Sequence, residues 1–251
     1  MANMDQIVKK LRAIWTFSAD RVLLPCAFSL ICLIGSYVKE QDLVPKSYFS
    51  DTKNVLNLYF VKVSWGWTLF LLVPFVFLSN SLKRPPVFVL QRLCALVVAT
   101  AVWYICVNTF ESIEEATGSC YETSTKEVVR GDITSKGICR KNGFVWDGYD
   151  ISGHSFILSY SALVISEEMA SMVDDAPGFR KPLLNGLYVS MSIIVYLWLF
   201  MFASTSVYFH STMDKVVGTG CGLLGWYLTY RVWYRNRLSP GLPQRQTKQH
   251  A

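Results

Sequence analysis

Thirty-two consecutive residues, Pro182–Met213, pass without an Asp, Glu, Lys or Arg. About 20 mostly apolar residues are enough to cross a bilayer. Five further stretches are also free of charge: Val22–Val38, Val63–Leu82, Leu93–Phe110, Ile151–Ser166 and Val216–Tyr230. Inside hydrocarbon a chain must satisfy its own backbone polar groups, and helices do so within one segment. The chain is therefore expected to be all-α, a polytopic membrane protein with six transmembrane helices at about 22–38, 57–80, 87–109, 150–171, 183–208 and 211–233. The shorter runs reach spanning length by borrowing neighbours such as Leu56–Tyr59 and Tyr149. A hydrophobic share of 52% agrees, but the distribution of charge carries the inference.

An even number of spans places both termini on one side. Thirteen Lys and Arg near helix ends fall on the side of the termini and nine on the other, five of the nine in one long loop. The excess of basic residues predicts cytosolic termini. The net charge of +6 then reflects topology and a basic tail, with no need for nucleic acid. Residues 1–21 contain Lys9, Lys10 and Arg12, and no A-x-A site follows the first apolar run, which is expected to stay as an anchor. One membrane domain spans residues 1–251. It has a cytosolic N-terminus at 1–21, a lumenal loop at 111–149 and a disordered Pro- and Gln-rich cytosolic tail at 235–251. Five of the seven cysteines lie in apolar runs. Cys120 and Cys139 share the long loop, where an oxidising compartment predicts that they pair.

The fold holds two of the three histidines. His154 opens the fourth span in "ISGHSF", with Ser152 or Asp150 as a plausible N-cap. His210 stands between the fifth and sixth spans in "VYFHSTMD". By the topology both lie at the lumenal face. If helix six starts at His210, Asp214 shares its face four residues on and orients the ring. Two histidines, a carboxylate and two helix N-termini suit attack on a phosphate. His210 would be the nucleophile, Asp214 its orienter and His154 the acid for the leaving oxygen. The plainer alternative is a pair of interfacial caps. The spacing is no zinc signature, and neither metal nor cofactor is expected. Glu167 and Glu168, at the cytosolic end of the fourth span, read as solvated end charges.

The blocks "WDGYDISGHSFILSYSALVISEEM" and "VYFHSTMDKVVGTGCGLLGWYLTYRVWY" resemble the fat storage-inducing transmembrane family, its type 2 branch most. So do "NVLNLYFVKVSWGWT", "ATAVWYICVNTF", "EEATGSCYE" and "LSPGLP". That family is similar in fold to the lipid phosphate phosphatases. Their Ser-Gly-His block is matched by Ser152, Gly153 and His154, and their His-x-x-x-Asp block by His210 and Asp214. The resemblance implies an enzyme of the endoplasmic reticulum membrane with a lumenal site. It would cleave the diphosphate of fatty acyl-CoA to acyl 4′-phosphopantetheine and adenosine 3′,5′-bisphosphate, in support of lipid droplet formation. It also implies contact with diacylglycerol, triacylglycerol and membrane lipids. The alternative is a non-catalytic protein that binds these neutral lipids and partitions them into droplets. The phosphatase pattern's basic clamp is not matched: Phe77 and Ser204 stand where Lys and Arg would be. Lys215, Arg140 and Lys141 are candidate substitutes.

Overall fold

The computed structural model describes residues 2–81, 84–122, 128, 135–170 and 180–242. It is almost wholly helical. The elements are α1 (Ala2–Arg21), α2 (Leu23–Glu40), α3 (Ser64–Asn80), α4 (Pro86–Thr117), α5 (Lys136–Lys141), α6 (Gly153–Met169), α7 (Arg180–Tyr208) and α8 (Thr212–Trp226). One two-stranded antiparallel sheet pairs β1 (Ser119–Tyr121) with β2 (Val145–Asp147). Among the described residues, three helices are long and apolar enough to cross a membrane: α2, α4 and α7. The shorter α3 is also apolar.

Helix α6 is the axis of the bundle. Every residue from Ser155 to Met169 is buried. Helix α8 lies close against it. A side-chain carbon at Gly218 would stand 2.4 Å from the Ser152 carbonyl, and one at Gly222 2.4 Å from Ser159 Oγ. Only glycine permits this approach of backbones.

Several boundaries differ from the sequence expectation. The segment read as cytosolic N-terminus forms α1, which buries Val8 and Trp15. The Trp15 indole donates to Ser192 Oγ of α7 at 3.0 Å. The second expected span begins as a π-helical turn, Asn57–Val61, breaks at Lys62 and Val63, and resumes as α3. Helix α8 continues as a second π-helical stretch, Tyr227–Val232. Helix α4 runs on to Thr117, into the region read as loop. Beyond it, Cys120 and Cys139 form a disulfide under Trp146 and Phe144. The tail is described as far as Leu242, and there Arg92 donates to the Gly241 carbonyl, so the chain returns to the bundle at Gly241. The remainder of the tail expected to be disordered, 243–251, lies outside the described residues.

Glu167 and Glu168 are not solvated end charges. They are 4% and 1% exposed. Arg92 of α4 pairs with Glu168, which also accepts from the Tyr230 hydroxyl at 2.7 Å. Arg231 meets Glu167 at 2.6 Å. Buried carboxylates persist where partners satisfy them, and here the partners come from two other segments of the chain.

Candidate active site

Helix α6 starts where its sequence says it should. Ser152 is the N-cap and its Oγ accepts from the Ser155 N–H at 3.3 Å, which leaves His154 in the first turn, half-buried. The His154 Nε2 meets Asn57 Oδ1 at 2.9 Å. Asn57 is itself fixed. Its Nδ2 donates to the Thr52 carbonyl at 2.6 Å and its N–H to Asn54 Oδ1 at 2.8 Å. With the amide nitrogen committed to Thr52, the amide oxygen faces the ring. Nε2 is then the protonated nitrogen that donates, and Nδ1 remains to exchange a proton.

His210 sits in the link between α7 and α8 with φ 52°. This left-handed conformation is uncommon outside glycine, and clusters at functional sites. Two lysines hold the link by capping the end of α7. Lys39 donates to the His210 carbonyl, and Lys215 Nζ to the Ser206 carbonyl at 2.7 Å. Cations there satisfy carbonyls that lack helical partners. The Ser152 N–H donates to the Asp214 carbonyl at 3.1 Å, joining the starts of α6 and α8 main chain to main chain.

The carboxylate beside His210 is Asp150, whose Oδ2 lies 3.5 Å from Nδ1. Asp214 does not occupy that place. Helix α8 begins at Thr212, after His210, so the expected four-residue helical spacing does not apply. Ser211 is the N-cap and Asp214 the third helical residue. The Asp214 Oδ2 accepts from the Ser211 N–H at 3.0 Å, and Ser211 Oγ from the Asp214 N–H at 3.3 Å. This is a capping box, and the S-x-x-D pattern was present in "STMD" to announce it.

His154 and His210 line one cavity of about 90 Å³, together with Asn54, Asn57, Ser204 and Thr205. That volume holds several waters or a small polar group. The other expected site residues take different places. Lys215 is fully buried in its capping role. Ser152 is likewise buried as a cap. Gly153 lines a second, larger groove that also reaches His154. Arg140 lies 3.8 Å from Glu114, and Lys136 pairs with the same carboxylate. Among the described residues, no group of three His, Cys, Asp or Glu side chains is placed to hold a metal ion. Asn57 and Asp150 were missed as partners of the histidines. Asn57 lies ninety-seven residues from His154 and no local pattern links them. Asp150 was weighed only as a cap.

The sequence pattern of the fat storage-inducing transmembrane protein family matches residues 45–186 and 179–230. An acyl-coenzyme A diphosphatase FITM2 of Danio rerio is 56% identical over 99% of this chain and 98% of its own length. The acyl-coenzyme A diphosphatase FITM2 of Homo sapiens is 44% identical over 97% of this chain and 94% of its own. Fat storage-inducing transmembrane protein 1 of Homo sapiens is 35% identical over 79% and 69% respectively. No solved structure matches the chain.

Proposed function

The chain belongs to the fat storage-inducing transmembrane protein family, and from that premise we propose that it is a fatty acyl-CoA diphosphatase. The observation that carries the reading is the pair of histidines on one small cavity, one ring hydrogen-bonded to Asn57 and the other 3.5 Å from the Asp150 carboxylate. His210 has its Nδ1 toward Asp150, which leaves Nε2 to attack phosphorus. The Asp150 carboxylate stabilises the ring as it gains positive charge. His154, anchored by Asn57 through Nε2–H, takes up a second proton at Nδ1 and gives it to the departing phosphate oxygen; water then releases the phosphoryl group from His210 and returns a proton to the His154 Nδ1. The products are acyl 4′-phosphopantetheine and adenosine 3′,5′-bisphosphate. In this reading the bundle has six spans, resembles the lipid phosphate phosphatases and lies in the endoplasmic reticulum membrane. Both termini are cytosolic and the histidines face the lumen, where Cys120 and Cys139 meet an oxidising milieu. The activity supports lipid droplet formation.

The test is release of adenosine 3′,5′-bisphosphate from oleoyl-CoA by purified protein in detergent. His210→Ala is expected to lose at least about 10²-fold in turnover at unchanged membrane expression. Undiminished turnover in that variant would leave the neutral-lipid-binding alternative standing instead.

A further inference from the structure

The diphosphate of an acyl-CoA is an anion, yet among the described residues no Lys or Arg lines the cavity between the histidines. Most nearby cations are already engaged. Lys39 and Lys215 cap α7. Lys136 and Arg140 share Glu114. Lys46 lines a separate pocket together with Asp42 and Asp51, which offset it. Lys62 differs. It is exposed, and among the described residues no hydrogen bond or ion pair engages its ammonium. With His154 it lines an open groove of about 660 Å³.

The π-helical turn explains this placement. The Lys62 N–H donates to the Asn57 carbonyl at 3.0 Å, an i to i+5 bond. In an α-helix five residues turn the side chain about 140° away around the axis. The wider π turn brings Lys62 back over Asn57, whose amide holds His154. Such turns are rare and recur at functional sites.

The groove leads away from His154 between α3, α4 and α6, and its walls are apolar. Trp65 and Trp103 stack with centroids 6.3 Å apart, and the Trp65 indole donates to Thr100 Oγ1 at 3.3 Å, which fixes that wall. Val107 and Ile157 complete it. An acyl-CoA needs a path of this kind, because its chain is apolar and begins on one side of the diphosphate. His154 lines both the groove and the cavity that holds His210.

Resting on the acyl-CoA reading above, we propose that Lys62 binds the diphosphate of fatty acyl-CoA beside His154, while the acyl-pantetheine arm lies in the groove along Trp65, Trp103, Val107 and Ile157. Lys62 thus supplies the phosphate clamp that the sequence lacks at Phe77 and Ser204. It acts as a point charge on phosphate oxygens, as lysine commonly does, and holds substrate before and during the reaction.

Kinetics on oleoyl-CoA with purified full-length protein test this. Lys62→Ala is expected to raise KM about 10- to 100-fold, the range for a hydrogen bond to a charged group, with a smaller change in kcat. Lys62→Arg restores most of the affinity. Gly66 lines the same groove, and a carbon added there meets nothing within 4 Å. Gly66→Leu therefore obstructs the groove without disturbing the helix, where leucine is the better former. It is expected to raise KM several-fold at unchanged melting temperature. Wild-type KM in Lys62→Ala overturns the clamp, and wild-type KM in Gly66→Leu overturns the groove. Full turnover in His210→Ala, measured alongside, would instead overturn the underlying reading of the site.

Discussion

The two ends of α6 bury polar groups in opposite ways. His154 and Glu168 lie fourteen residues apart, about 21 Å along the axis. At the Glu168 end each charge meets a countercharge or a donor: Arg92, Tyr230 and Arg231 close the set around the two glutamates. At the His154 end, one nitrogen of each ring is held and the rings line an open cavity. A network that uses its own hydrogen-bonding capacity specifies a fold. A network that leaves capacity facing a cavity can act on something else. The difference separates structural from chemical polarity within one buried helix.

The largest expected effect tests the closed end. Arg92→Met leaves Glu168 buried without its cation, a change that typically costs about 3–5 kcal/mol. The double variant Arg92→Met with Glu168→Leu is expected to recover most of it. Thermal unfolding in detergent measures both, and turnover per folded molecule should stay within about twofold. A large loss of turnover with the fold intact would break the contrast between the two ends.

Next is the disulfide-bonded segment that follows α4. Cys120→Ser removes a crosslink with a sequence separation of 19, worth about 3 kcal/mol in the chain-entropy model. Proteolysis and hydrogen exchange of the 118–149 segment should report loosening there before the helices respond. Uniform loosening of the whole bundle would show that the loop is not a separate cap.

The smallest effects sharpen the roles at the open end. Asp150→Asn is expected to lower kcat about tenfold, a fraction of the acid–base contribution, with stability unchanged. Asp214→Ala should do the reverse, costing about 1 kcal/mol as a lost cap partner and leaving kcat within about twofold. Collapse of turnover in Asp214→Ala at unchanged stability would return the orienting role to that residue.

Features written in one stretch of chain were legible. The charge-free runs foretold a helical membrane protein, and Ser152 announced the start of α6. The two histidines that line one cavity each stand in a local motif, and the cysteines that pair share one loop. Features that depend on two distant segments were not. Glu167 and Glu168 end an apolar run, and their burial is decided by Arg92 and Arg231 elsewhere. The hold of Asn57 on His154 crosses ninety-seven residues. Asp214 was misplaced for a local reason, since a helix start later by two residues turns an i, i+4 partner into a cap. The π-helical turn at Asn57–Val61 has no periodicity to betray it, because five residues are too few to show a period.

The bond from the Ser152 N–H to the Asp214 carbonyl has a mechanical consequence. Bilayers that thicken or thin make helices tilt. Helices α6 and α8 are joined by backbone at their starts and pressed together at Gly218 and Gly222, so they tilt as one body. The segments bearing His154 and His210 keep their spacing through such a change. The turn bearing Asn57 and Lys62 belongs to a different segment, tied to α6 through the bond from His154 to Asn57. A change of membrane thickness therefore leaves the distance between the two histidines untouched.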